Sequence, residues 1–167
     1  ILQGMHPSDR SCPKDITKLQ CRLQGAQEFT ETKYIAGECN VLHSRSKDEC
    51  YFLSAENMLR NHHNIPFAFD LCNESGSLWS SCIQHLITEL VQHAPQANSP
   101  QIEWKRTLEI HEQIQEYWKQ RHIGYSRVIL DHFWEEVCSY SYSKIASPTG
   151  DMLDFLPEES KTHIRSH

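Results

Sequence analysis

The apolar positions along this chain change rhythm twice. Between Thr32 and Leu53, three short apolar or β-branched runs, TKYIA, CNVLH and ECYFL, are separated by Gly37 and by the polar SRSKDE. Such runs between turn formers predict strands, and the last two predict a β-hairpin. From Ser54 the rhythm becomes helical: Ser54 fits an N-cap, with Ala55, Glu56, Met58 and Leu59 behind it. Pro66 ends that short helix, because the residue before a proline avoids the α region. Ile65, Pro66, Phe67 and Phe69 then sit where a connecting segment is normally polar. They are expected to form an apolar docking loop. Leu78, Cys82, Ile83, Leu86, Ile87, Leu90 and Val91 make one broad helical stripe, with Ser77 or Ser80 as its cap.

The two ends are read from weaker signals. Residues 1–13 are expected as a flexible leader. Residues 15–29 fit either a helix capped by Asp15 or a loop with short extended pieces, and Gly25 weakens the helix. APQANSP, residues 94–100, reads as a linker. Residues 101–146 predict helix, since Trp104, Leu108, His111, Ile114 or Gln115, and Trp118 step by three or four. Gly124 is expected to break or kink this run. Val128, Ile129, Phe133, Trp134, Val137 and Tyr140 continue it, as an antiparallel hairpin or a kinked helix. The tail, 147–167, is mostly polar; its DMLDFLP insert could dock locally or bind a partner, and a tail that packs on its own domain or stays disordered is the simpler reading. The whole pattern predicts an α+β, helix-rich protein with a small module at 14–93 and a helical extension.

Composition narrows the partners. The 167 residues carry 22 acidic and 16 basic side chains, a net charge of −6. No Lys/Arg cluster forms the basic face that nucleic acid requires. The longest apolar runs fall far short of the roughly 20 residues needed to span a bilayer. No signal-peptide pattern stands at Ile1. Seven cysteines, an odd number at irregular spacing, read as reduced thiols in a cytosolic protein. Buried, they would behave as small apolar residues.

The candidate chemistry is sparse. A zinc site usually brings ligands in close pairs, and the chain has no CxxC. Cys39 with His43, and a choice among His62, His63, Cys72, Cys82 and His85, are the nearest sets; no metal and no cofactor are expected. Cys82 lies near a helix start in LWSSCIQHL, where a thiol is acidified. A Cys-dependent hydrolase or deamidase would need a distant His122 or His132 and a carboxylate such as Asp131. Cys82 also lies on the apolar stripe, where a buried structural thiol is the simpler reading. There is no P-loop and no GxGxxG.

The order of elements carries a resemblance. Asp15-Ile16, then Gln20-Cys21-Arg22-Leu23, a hairpin, an aromatic before the short helix in ECYFLSAENMLRNH, the Asp70-Leu71-Cys72-Asn73-Glu74 stretch and the helix CIQHLITELV follow one another. This resembles the U-box and RING-like fold of E3 ubiquitin ligases over about residues 15–93. The family's Pro in the second loop is Leu71 here, and its Pro after Cys is Arg22. The resemblance implies that a ubiquitin-charged E2 docks on an apolar groove through Leu23, Leu59, Pro66 and Leu71. Asp70, Asn73, Arg60 and Glu56 would form the polar network that replaces zinc in a U-box. A divergent ligase of this kind resembles secreted effectors of intracellular bacteria, working on a protein substrate in the host cytosol. A helical interaction adaptor without catalysis is the alternative that the same pattern leaves open.

Overall fold

Paired buried positions recur every four residues along the middle of the chain: Cys50 and Tyr51, Ser54 and Ala55, Met58 and Leu59. That repeat is one face of a single helix. In the computed structural model, described here for residues 11–14, 16–92, 100–121 and 123–144, the helix α3 spans Ser44–His62. Before it lie α1 (Lys18–Gln27) and α2 (Thr32–Cys39). After it come α4 (Ile65–Asn73), a 3₁₀ turn (Gly76–Leu78) and α5 (Trp79–Gln92). Two longer helices, α6 (Pro100–Arg121) and α7 (Ile123–Lys144), complete the described chain.

The expected hairpin is therefore replaced by α2 and the first half of α3, and the α+β expectation by helices alone among the described residues. Ile35 and Tyr51 favour strands locally, but burial on a helical face outweighs that preference. Burying a side chain the size of Tyr51 or Met58 is worth about 2 kcal/mol, against a few tenths for helix propensity. Ser54, expected as an N-cap, is instead fully inside α3.

The apolar docking loop is a helix too. Asn64 caps α4 by accepting from the Phe67 amide at 3.2 Å. Pro66 sits in the first turn, where its missing N–H costs nothing. Ile65, Ala68, Phe69 and Cys72, spaced i, i+3, i+4, i+7, are buried, so the apolar residues face the core. Pro66 and Phe67 face outward. Residues 18–27 settle as helix, capped by Thr17 in a reciprocal box with Gln20.

The chain divides into two compact units at Leu86–Ile87. In the first, α3 packs against α1, α2, α4 and the 3₁₀ turn. Arg22 of α1 donates to Glu38 of α2 at 2.9 Å, with side chains 8% and 1% exposed. In the second, α6 packs on α7. Ile114 and Trp118 of α6 are buried as their spacing predicts, as are Ile129 and Phe133 of α7; Leu108 and His111 are half-buried, and Ile110, outside the expected series, is buried too. Val128, expected on the apolar face, is 66% exposed. The run divides into two helices close to Gly124, as expected: α6 ends at Arg121 and α7 begins at Ile123, with Gly124 in its first turn. The leader up to residue 10, Asp15, most of the 94–100 linker, His122, the side chains of Trp104 and Tyr140, and the tail lie outside the described residues.

Candidate functional site

Three disulfides dominate the first unit. Cys12–Cys21 ties the entering chain to α1, Cys39–Cys50 ties the end of α2 to α3, and Cys72–Cys82 ties the end of α4 to α5. Their Cα–Cα distances are 5.6, 5.5 and 5.5 Å, within the usual bridging range. Cys21, Cys39, Cys50, Cys72 and Cys82 are all buried. The expectation of reduced thiols is corrected here: six of the seven cysteines pair, and Cys138 on α7 stays free. Burial, and then the Glu135 charge, push the Cys138 thiol up, which lowers its thiolate fraction at neutral pH. The odd count hid the pairing. The signal was the near-constant separation of 9, 11 and 10 residues within successive pairs.

Around the third disulfide a polar elbow joins α3, α4 and α5. Gly76 has φ +52°, and a Cβ placed there would stand 2.5 Å from an Asp48 carboxylate oxygen. That carboxylate, on α3, accepts from the Ser77 amide at 3.0 Å and the Ser77 hydroxyl at 2.6 Å. The Ser75 hydroxyl donates to the Cys72 carbonyl at 2.6 Å, and Trp79 Nε1 donates to Asn73 Oδ1 at 2.9 Å. One carboxylate thus closes the turn, which is why no larger residue suits position 76. Nearby, His85 of α5 pairs with Glu56 of α3 at 2.7 Å, and its ring meets Phe52 edge-on at 5.1 Å. A second elbow holds α2 to α3, where the Tyr51 hydroxyl donates to Asn40 at 3.1 Å beside Cys39–Cys50. Burial, with the Glu74 charge adding to it, raises the Tyr51 phenol, and the Asn40 bond opposes the rise.

The sequence-derived site residues fall in several places. Leu59 and Leu71 are buried in α3 and α4, at 6% and 1% exposure. Leu23 on α1 is half-buried, and Pro66 on α4 is exposed. Of the four polar candidates, Glu56 engages His85 and Asn73 engages Trp79. Arg60 is exposed and Asp70 half-buried. Cys82 is bonded to Cys72 and so carries no thiol. His132, on α7, lies 3.6 Å from Glu135, and Asp131 is half-buried beside it in sequence. His43, His62 and His63 are exposed, while Cys39, Cys72 and Cys82 are consumed by disulfides. Among the described residues no group of three or more His, Cys, Asp or Glu is placed to hold a metal ion. No described helix is long and apolar enough to cross a membrane.

Besides Val128, two large apolar side chains are exposed among the described residues, both aromatic. Tyr34 is 38% exposed, stacks on Phe29 at 5.2 Å and lies under Lys33 at 4.6 Å. Phe67 is 36% exposed beside Pro66 at the start of α4. Comparison with protein-family models, with curated proteins and with solved structures finds no match to this chain.

Proposed function

We propose that this chain is a disulfide-stapled helical interaction module that works in an oxidising compartment. The observation that carries the reading is the set of three sequential disulfides, each joining a helix to the segment before it. Disulfides of this kind form and persist in secreted and lumenal proteins and are rare in a reducing cytosol. The chain would therefore act outside the reducing cytosol, and the cysteines supply framework rather than chemistry. The docking role rests on the exposed aromatic groups at Tyr34 and Phe67, which a rigid, stapled scaffold presents at fixed positions.

Ubiquitin ligation through a bound E2 is the rival, and it draws on exposed Pro66 and half-buried Leu23. It asks for a cytosolic chain and for contact through Leu59 and Leu71, which pack in the core. Rapid alkylation of the chain in its native cells, followed by intact mass, separates the two. Six cysteines protected from the alkylating reagent support the stapled module. Seven alkylated cysteines sink it. Ubiquitin transfer from a panel of charged E2 enzymes that is lost in Leu23→Ala would restore the ligase.

A further inference from the structure

We propose that Asn73 carries an N-linked glycan, a proposal that rests on the oxidising-compartment reading above. Asn73-Glu74-Ser75 is an Asn-x-Ser acceptor sequence with no proline at its middle position. It is unique in the chain: Asn98-Ser99 is followed by Pro100, and none of Asn40, Asn57, Asn61 and Asn64 has Ser or Thr two residues on. Its position in the fold suits a large polar group. Asn73 is the last residue of α4, it is exposed, and Glu74, Gly76 and Ser77 around it are exposed as well.

The hydrogen bonding at this corner is compatible with the modification. An indole N–H only donates, so the atom of Asn73 that meets Trp79 at 2.9 Å is the carbonyl oxygen. The sugar attaches to the other atom, Nδ2, and leaves the carbonyl oxygen as an acceptor. The Trp79 bond therefore survives glycosylation and holds the linkage in one orientation. In the transfer itself, Nδ2 forms a bond to the anomeric carbon of a lipid diphosphate-linked oligosaccharide. The bond from that carbon to the phosphate oxygen breaks, the lipid diphosphate leaves, and the amide gives up one proton.

Order of events follows from Ser75. Its hydroxyl must be available to the transferase, but in the folded chain Ser75 is fully buried and bonded to the Cys72 carbonyl. Transfer therefore precedes closure of the Cys72–Cys82 loop that holds this corner shut. The glycan then caps the polar elbow from outside and covers the end of α4.

The test expresses the full chain behind a cleavable secretion signal in a eukaryotic cell. A peptide N-glycosidase is applied to both secreted and total cell product, and peptides spanning residue 73 are sequenced by mass. The expected result is carbohydrate removed by the enzyme, with Asp left at 73. Asn73→Gln and Ser75→Ala should lose all of it, while Ser75→Thr should keep it. Because transfer precedes folding, total cell product stays informative for a variant that does not fold. Cys72→Ser/Cys82→Ser, which cannot close the loop, should be modified at least as fully as the parent chain. A secreted chain with three intrachain disulfides and an unmodified Asn73 overturns the proposal alone. A chain that enters the pathway with its cysteines unpaired overturns the oxidising-compartment reading and this proposal with it.

Discussion

Two residues show how tightly single positions are determined. Gly76 adopts a left-handed conformation directly against the Asp48 carboxylate, and that carboxylate cannot retreat without giving up both bonds to Ser77. Gly76→Ala should therefore destabilise the first unit by about 2 kcal/mol, from backbone strain and the clash together. Asp48→Ala loses the two bonds but removes the obstacle. The double variant should thus be less destabilised than the sum of the singles, read from urea midpoints in a double-mutant cycle. Additive midpoints would show that the two residues are not coupled. His111 behaves differently. It is half-buried against the Trp134 and Phe133 rings, at 5.3 and 6.2 Å, and burial lowers its pKa from the ordinary 6.5, with Glu112 opposing. A histidine held neutral in the fold supports it fully above its unfolded pKa. That support is lost as pH falls below 6.5 and through the lowered folded value. Melting of the α6–α7 pair should accordingly shift down between neutral pH and about pH 5, and the shift should shrink in His111→Gln. An equal shift in that variant would assign the effect elsewhere.

At the level of elements, α1 and α2 meet through charge as well as packing. The Arg22–Glu38 pair is almost wholly out of water. Removing one partner strands a buried charge, whereas replacing both with apolar residues of similar size removes the desolvation cost as well. Glu38→Ala should cost about 3 kcal/mol or more, and Arg22→Met/Glu38→Leu should recover most of it. Chemical denaturation of the three proteins decides this, and a double variant no better than the single would contradict the account. How far these elements could be read from sequence depended on their surroundings. The stripe of α5, and Ile114, Trp118, Ile129 and Phe133 in α6 and α7, lie in long stretches whose period is unmistakable. The face of α3 has the same clarity from Cys50 to Leu59, but Tyr51, Phe52 and Leu53 follow one another directly and suggest a strand over so short a window. α4 was obscured by Pro66, which breaks a helix interior but opens a first turn.

For the whole first unit, the staples set the scale of stability. Each closes a loop of 9 to 11 residues. On the chain-entropy model that is worth about 2.7 kcal/mol per bridge, and the loops do not overlap, so together they contribute about 8 kcal/mol. A domain's net stability is usually about 5–15 kcal/mol, so the reduced unit should be close to unfolded. Reduction by dithiothreitol should lower its melting temperature by tens of degrees and expose the five buried half-cystines to labelling. The α6–α7 pair, whose described cysteine is the unpaired Cys138, should keep its helical signal under the same treatment. A first unit that melts at the same temperature with and without reductant would leave the staples without an energetic role.

What the sequence determined by itself is the local grammar: which long segments are helical, which of their positions are apolar, and that no apolar run is long enough for a membrane-crossing helix among the described residues. Those properties follow from residues a few positions apart. The tertiary structure decided which cysteines pair, because pairing depends on where helix ends meet, and counting seven thiols does not reveal that. It also decided which way α4 faces. Of the four side chains that read as an exposed apolar loop, Ile65 and Phe69 pack inward and Pro66 and Phe67 stay outside. Burial is a property of neighbours brought from elsewhere in the chain, and it turned half of that segment into scaffold and left the other half at the surface.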